Sequence, residues 1–210
     1  MGPAAGLTPL PPSFYARPVL EVARDLLGAL VVSGEVVIRL SEVEAYGGAD
    51  DPASHAFRGP TRRNSAMFGP SGVLYVYFTY GMHHCVNVVT GEGDGLAAAV
   101  LLRGGEVVHG LALAGARRPS VAFRDLARGP ARLAKTLGLD LSHTGTVVTA
   151  SDSLVWLAGG KPVPAGSVAT GPRIGIRSAT DRPWRLWVTD DPTVSKFRAA
   201  KVIDRRATDG

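Results

Sequence analysis

The strongest limit on the fold comes from a set of short apolar runs between positions 29 and 102. Residues 29–33 and 35–44 are two runs rich in Val, Ile and Leu, joined by the hairpin signal Ser33-Gly34. Residues 73–79 and 84–90 are dense in Val, Tyr and Phe, and residues 97–102 form one more apolar run of strand length. Short β-branched and aromatic runs fit a pleated, half-buried surface better than a helix. Between the second and third runs lie residues 47–72, rich in Gly, Pro, Asp, Ser and Arg. That stretch reads as a long loop with too few apolar residues to bury itself. Loops of such length in compact domains are functional or disordered.

Helical spacing is confined to three places. Val19, Leu20, Val22, Ala23, Leu26 and Leu27 predict a helix over 17–27, with Pro18 at its start and Gly28 past its end. A helix over 105–118 is predicted too, although Gly110 and Gly115 weaken it. Residues 130–137 form a better one, with Pro130 in the first turn and Gly138 at its end. Further short strands are expected at 154–158, 173–177 and 185–189. With 210 residues the chain can bury one core. The expected fold is α/β (α+β): a single compact domain over 13–200, with a curved, largely antiparallel sheet flanked by helices. Residues 1–12 read as a flexible lead, and 201–210 as a polar tail.

Composition narrows the partners. The formal net charge is +5, and the pI is about 9.7. A basic surface attracts polyanions, nucleic acid foremost. Nearly all of that charge is arginine; the lysines are Lys135, Lys161, Lys196 and Lys201. Arginine suits phosphate because its planar fork donates two parallel hydrogen bonds. A G+C-rich genome would give the same bias. The single cysteine, Cys85, allows no intrachain disulfide and no zinc site built on several thiolates. No apolar run reaches membrane-spanning length, and the N-terminus lacks the charged region of a signal peptide. A cytoplasmic location is expected.

The chemistry concentrates between Ser41 and Arg103. In the strand Ser41-Glu42-Val43-Glu44-Ala45-Tyr46, alternate side chains share a face, so Glu42, Glu44 and Tyr46 point the same way. Two carboxylates and a phenol are costly in a core unless they are partnered. They form either a solvated strand face or a site. The strand runs into the loop carrying Asp50, Asp51 and His55, which makes a carboxylate there a general-base candidate. Further on, Tyr75, Tyr77 and Thr79 share a strand face, and Tyr80 precedes the turn at Gly81. Strand tyrosines are commonly core residues. Three crowded at a turn also match what an extruded base needs: flat walls and a protruding wedge. His55, His83 and His84 with Asp50, Asp51 or Glu44 are candidate metal ligands by residue type. Adjacent His83 and His84 diverge on a strand, and no HExxH or HxE…CxxC pattern occurs, so no metal and no cofactor are expected.

Taken together, this stretch resembles the alkyladenine (3-methyladenine) DNA glycosylase family of the mammalian type. The resemblance is carried by Glu42-Val43-Glu44-Ala45-Tyr46, by His55 nine residues on, by Arg62-Arg63-Asn64 and by Met67-Phe68. It continues through Leu74-Tyr75-Val76-Tyr77, Tyr80-Gly81-Met82, Cys85, Asn87, Gly93-Asp94-Gly95 and Val100-Leu101-Leu102-Arg103. Gly129-Pro130 followed by Arg132-Leu133 is a weaker downstream match. The segment between Asn87 and Arg103 is slightly longer than in the mammalian proteins, and Gly104-Gly105 and Val107-Val108 depart from the pattern.

The resemblance implies roles. Glu44 matches the general base that activates a water, and Arg103 a residue that holds that water and the carboxylate. Tyr46, His55 and Tyr77 match the walls of a base pocket, and Asn87 its floor, crowding the exocyclic amine of guanine. Tyr80 matches the side chain that fills the gap in the duplex. Arg62 and Arg63 are expected at the DNA backbone. The implied activity is monofunctional excision of alkylated purines from double-stranded DNA, by a monomer, leaving an abasic site. None of the four lysines lies in the motif stretch, which disfavours a Schiff-base mechanism. Two other readings stay open at this point: a non-catalytic nucleic-acid-binding module, and a metal-dependent hydrolase built on His55 and the acidic cluster.

Overall fold

The computed structural model describes residues 6–79, 81–91 and 96–199. Its centre is an eight-stranded sheet in which every named pairing is antiparallel. The strands are β1 (Leu30–Ser33), β2 (Val36–Tyr46), β3 (Leu74–Thr79), β4 (His83–Thr90), β5 (Ala98–His109), β6 (Val155–Ala158), β7 (Val168–Gly171) and β8 (Arg185–Val188). The main path runs β3-β4-β5-β2-β1-β6, and β8 joins β2 to β7. The helices are α1 (Pro12–Tyr15), α2 (Val19–Asp25), α3 (Leu111–Arg117) and α4 (Pro130–Leu137). This is the expected α+β domain with a curved antiparallel sheet.

Strand β2 organises everything else. One edge pairs with β5 along most of its length. The other edge is divided: β1 takes Val36–Arg39, and β8 takes Glu42–Glu44. Register shifts near Leu40 and Glu42 mark bulges, which bend a strand and raise its twist. Over Glu42–Glu44, β2 is therefore hydrogen-bonded on both edges, and side chains leave it only through the two sheet faces. Val43 and Ala45 point into the main core with Leu26, Leu102, Leu133 and Leu157. Glu42, Glu44 and Tyr46 take the opposite face. A second apolar cluster, with Met67, Val73, Tyr75 and Val89, lies under the long loop.

The structure corrects three expectations. The helix predicted over 105–118 is mostly strand, because β5 continues to His109 and α3 starts only at Leu111. A Cβ at Gly105 would stand 2.3 Å from the Arg39 carbonyl oxygen, so glycine there serves close packing of β5 on β2. The strand predicted over 173–177 is a loop, and the strand lies earlier, at Val168–Gly171. Third, the loop over 47–72 is not structureless: it carries a 3-10 turn (Ser65–Phe68) and buries Asp51, Ser54, Asn64 and Met67. Within the lead, Leu10 donates its N–H to the Leu157 carbonyl, and Pro9 bridges to Ala158.

Candidate active site

A cavity of about 520 Å³ opens on the sheet face that carries Tyr46. That size falls in the range of roughly 300–1,000 Å³ that suits a small organic ligand. Four strands build its floor in register. Glu44 pairs with Leu101, Leu101 with Asn87 and Asn87 with Tyr75, so one row crosses β2, β5, β4 and β3. Tyr46, Arg103, Asn87, Tyr75 and Tyr77 line the cavity from these strands. Three further segments close it: Pro52, Ala53 and His55 from the long loop, Pro130 and Ala131 from the first turn of α4, and residues 174–178.

The walls are aromatic and fixed. The His55 and Tyr77 rings meet edge-on with centroids 4.6 Å apart. His55 Nδ1 lies 3.0 Å from the Tyr75 hydroxyl. The backbone carbonyl of His55 accepts from Asn64 Nδ2 at 2.8 Å, and Asn64 also ties Gly59 and Thr61, so one buried amide knots the loop behind the histidine. Asn87 Nδ2 donates to the Tyr75 carbonyl at 3.0 Å. Desolvation, then the Arg63 charge, holds His55 below the ordinary histidine value, so it is neutral at pH 7. Burial pushes Tyr75 up to about 12. Burial also raises Tyr46 and Tyr77 well above the ordinary tyrosine value, and neighbouring negative charge adds to that. All three phenols are therefore neutral donors.

Glu44 has no exposed surface and stands one layer behind the cavity wall. Its partners form that wall. The Tyr46 hydroxyl donates to Oε2 at 2.8 Å. Arg103 Nη1 lies 3.2 Å from the same oxygen. The Ile174 N–H donates to Oε1 at 2.7 Å. A carboxylate has about four lone-pair sites, and these donors take three.

Arg103 also binds Glu42, through Nε at 3.0 Å. Glu42 is saturated: Arg185 Nε donates at 2.7 Å, and Ser195 donates its N–H at 2.7 Å and its hydroxyl at 2.9 Å. Burial raises the Glu42 carboxyl, but Arg103, the Ser195 N–H and Arg185 outweigh it and hold the group below the ordinary glutamate value. Burial lowers Arg103, but Glu44 and Glu42 outweigh it and keep the guanidinium charged.

The cavity thus gathers Tyr46, His55, Tyr77, Asn87 and Arg103, with Glu44 directly behind. Arg62 and Arg63 are exposed and do not line it. Arg63 donates to the Phe78 carbonyl at 2.9 Å and sits over the Tyr77 ring. Tyr80 lies outside the described residues. Sequence reading missed the loop 173–178, the start of α4 and the role of Asp51. Asp51 accepts both Nη groups of Arg173. The Gly171-Pro172 pair before Arg173 and Gly175 after it were the available signs of a loop. Among the described residues no group of three His, Cys, Asp or Glu side chains stands close enough to hold a metal ion. Of the residues considered for that role, His55 faces Tyr75 and Asp51 pairs with Arg173.

A model of the methylpurine-DNA glycosylase family matches residues 13–192. Three bacterial proteins named "Putative 3-methyladenine DNA glycosylase" are similar over most of the chain. That of Frankia casuarinae is 52% identical over 204 residues, covering 93% of this chain and 96% of its own. That of Streptomyces avermitilis is 51% identical over 206 residues, covering 95% and 96%. That of Nocardia farcinica is 52% identical over 192 residues, covering 89% and 90%. The likeness therefore reaches the family through bacterial proteins, and the mammalian type expected from the motifs is not supported.

Proposed function

The chain belongs to the methylpurine-DNA glycosylase family, and on that premise we propose how its site performs DNA repair. The substrate is double-stranded DNA carrying an alkylated purine. The purine turns out of the duplex into the cavity, against the rings of Tyr46 and Tyr77, and His55 meets its edge. Flipping costs a few kcal/mol, least at a damaged pair, so part of the selectivity precedes the pocket. A cationic purine such as 7-methylguanine binds well to electron-rich ring faces. Because His55 is neutral at pH 7, it serves as a hydrogen-bonding edge and adds no charge beside that cation.

Glu44 is the proposed base. Cleavage of the N-glycosidic bond passes through an oxocarbenium-like sugar, which a nearby carboxylate stabilises while orienting water. The attacking water takes the fourth lone-pair site of Glu44 or displaces the Tyr46 hydroxyl from it. It loses a proton to the carboxylate as its oxygen bonds to the anomeric carbon, and the base departs with the bonding electron pair. Lys135, Lys161 and Lys196 do not line the cavity, which favours water over an amine nucleophile. Arg62 and Arg63 are assigned to phosphate contacts and Tyr80 to the vacated space in the duplex. The proposed unit is a monomer acting on nucleoid DNA in the cytoplasm.

The observation that carries this reading is the clamped Glu44 carboxylate behind an aromatic cavity of purine-binding size. The test is incubation with an alkylated duplex. Release of free alkylpurine with an alkali-labile site is expected, and an unchanged duplex contradicts it.

A further inference from the structure

Behind Tyr46 lies a buried pair that the mechanism above does not use. The side chains of Arg173 and Asp51 are both without exposed surface. Arg173 Nη2 donates to Asp51 Oδ1 at 2.8 Å, and Nη1 donates to the other carboxylate oxygen and to the Ala45 carbonyl, the latter at 2.9 Å. Ala45 is the residue between Glu44 and Tyr46. The guanidinium carbon stands 4.7 Å from the centre of the Tyr46 ring and 5.2 Å from that of Trp184. The next residue, Ile174, gives its N–H to Glu44. Asp51 in turn accepts the N–H groups of Gly47 and Ala53, at the two ends of the turn that leads to His55.

A stabilising device would not be built this way. Buried ion pairs are weak sources of stability, and apolar replacements often do as well. Arg173 Nε–H is also buried without an acceptor among the described residues, which costs free energy. What the arrangement does supply is orientation. Tyr46 lines the cavity and Arg173 does not, so the guanidinium backs the ring from outside the cavity. The same ring carries the hydroxyl that holds Glu44. Ring tilt and carboxylate direction are therefore set together by one planar group.

We propose that Arg173, held by Asp51, is the positioning residue that fixes the Tyr46 wall and the Glu44 carboxylate relative to each other. This rests on the function proposed above and deepens it. Lysine would keep the charge beside Asp51 but would lose the fork to Asp51 and the planar group 4.7 Å from the Tyr46 ring.

The test is single-turnover release of 7-methylguanine from a duplex at saturating enzyme. Arg173→Lys is expected to slow release about tenfold or more, while duplex affinity stays within about twofold, because misorientation acts on the chemical step. In a Tyr46→Ala background the same substitution should cost less than about threefold, since residues acting as one unit are not additive. Asp51→Asn, which keeps size and an acceptor, should show the same non-additivity and covers the case in which Arg173→Lys does not fold. Additive losses in the cycle, an unchanged rate, or a loss confined to duplex affinity would overturn the proposal. A wild-type protein that releases no base contradicts the proposed function itself, a result distinct from all of these.

Discussion

Glu42 and Glu44 lie two residues apart on one strand face, and both are buried, yet they are held by different kinds of partner. Glu42 faces two guanidiniums, a backbone N–H and a hydroxyl, and its partners lead back into the protein through β8 and Ser195. Glu44 shares Arg103 with it, but its other partners are a phenol and an N–H from residues that line the cavity. Saturation by charge makes a carboxylate inert. Two neutral donors and a spare lone-pair site leave room for the water that the proposed base role requires. The difference is set by what reaches each carboxylate from the neighbouring segments, not by the amino acid or its burial.

Substitutions that exchange the two fates test this contrast. The largest effect is expected from Glu44→Gln: base release falls about 10³-fold, in the range of lost general-base catalysis, while stability falls less than in Glu42→Gln, because Arg103 keeps Glu42 as a partner. Equal losses of folding and rate would erase the contrast. Glu42→Gln should do the reverse. It leaves Arg103 and Arg185 buried with one charge fewer, which costs about 3 kcal/mol of stability in denaturant unfolding, with a far smaller change in rate per folded molecule.

A pH effect sharpens the same point. The folded-state value of Glu42 is lowered from 4.5, so its contribution is present above about pH 4.5 and lost as the pH falls through the folded value. Stability measured from pH 7 to pH 3 is expected to decline in that window, and Glu42→Gln should decline less. The smallest effect concerns His55, which is held below 6.5. As the pH falls through its folded value, a second cation appears beside a cationic purine. At 6 Å in water that repulsion is about 0.7 kcal/mol, roughly threefold in binding. His55→Asn should flatten this fall.

The sequence carried β1 to β5 and the residues on their faces because period-two patterning survives in a sheet with one face packed. It therefore placed Glu44, Tyr46, Tyr77 and Asn87 on strands whose shared cavity came from register, which alternation does not encode. Gly104-Gly105 hid the second half of β5, since glycine reads as a break yet here lets β2 pass close. Arg173 was invisible as a partner because Asp51, 122 residues away, shares no local pattern with it. Asp51 was noticed only as a possible metal ligand. The groups that orient the site are thus less legible than the groups that face it.

The most direct measurement is the structure of Glu44→Gln bound to a duplex with a 7-methylguanine. The purine should lie in the cavity between Tyr46, Tyr77 and His55, with a water within hydrogen-bonding distance of residue 44 and facing the anomeric carbon. A purine seated elsewhere, or residue 44 sealed from any water in the complex, would contradict the assignment of Glu44 as the base.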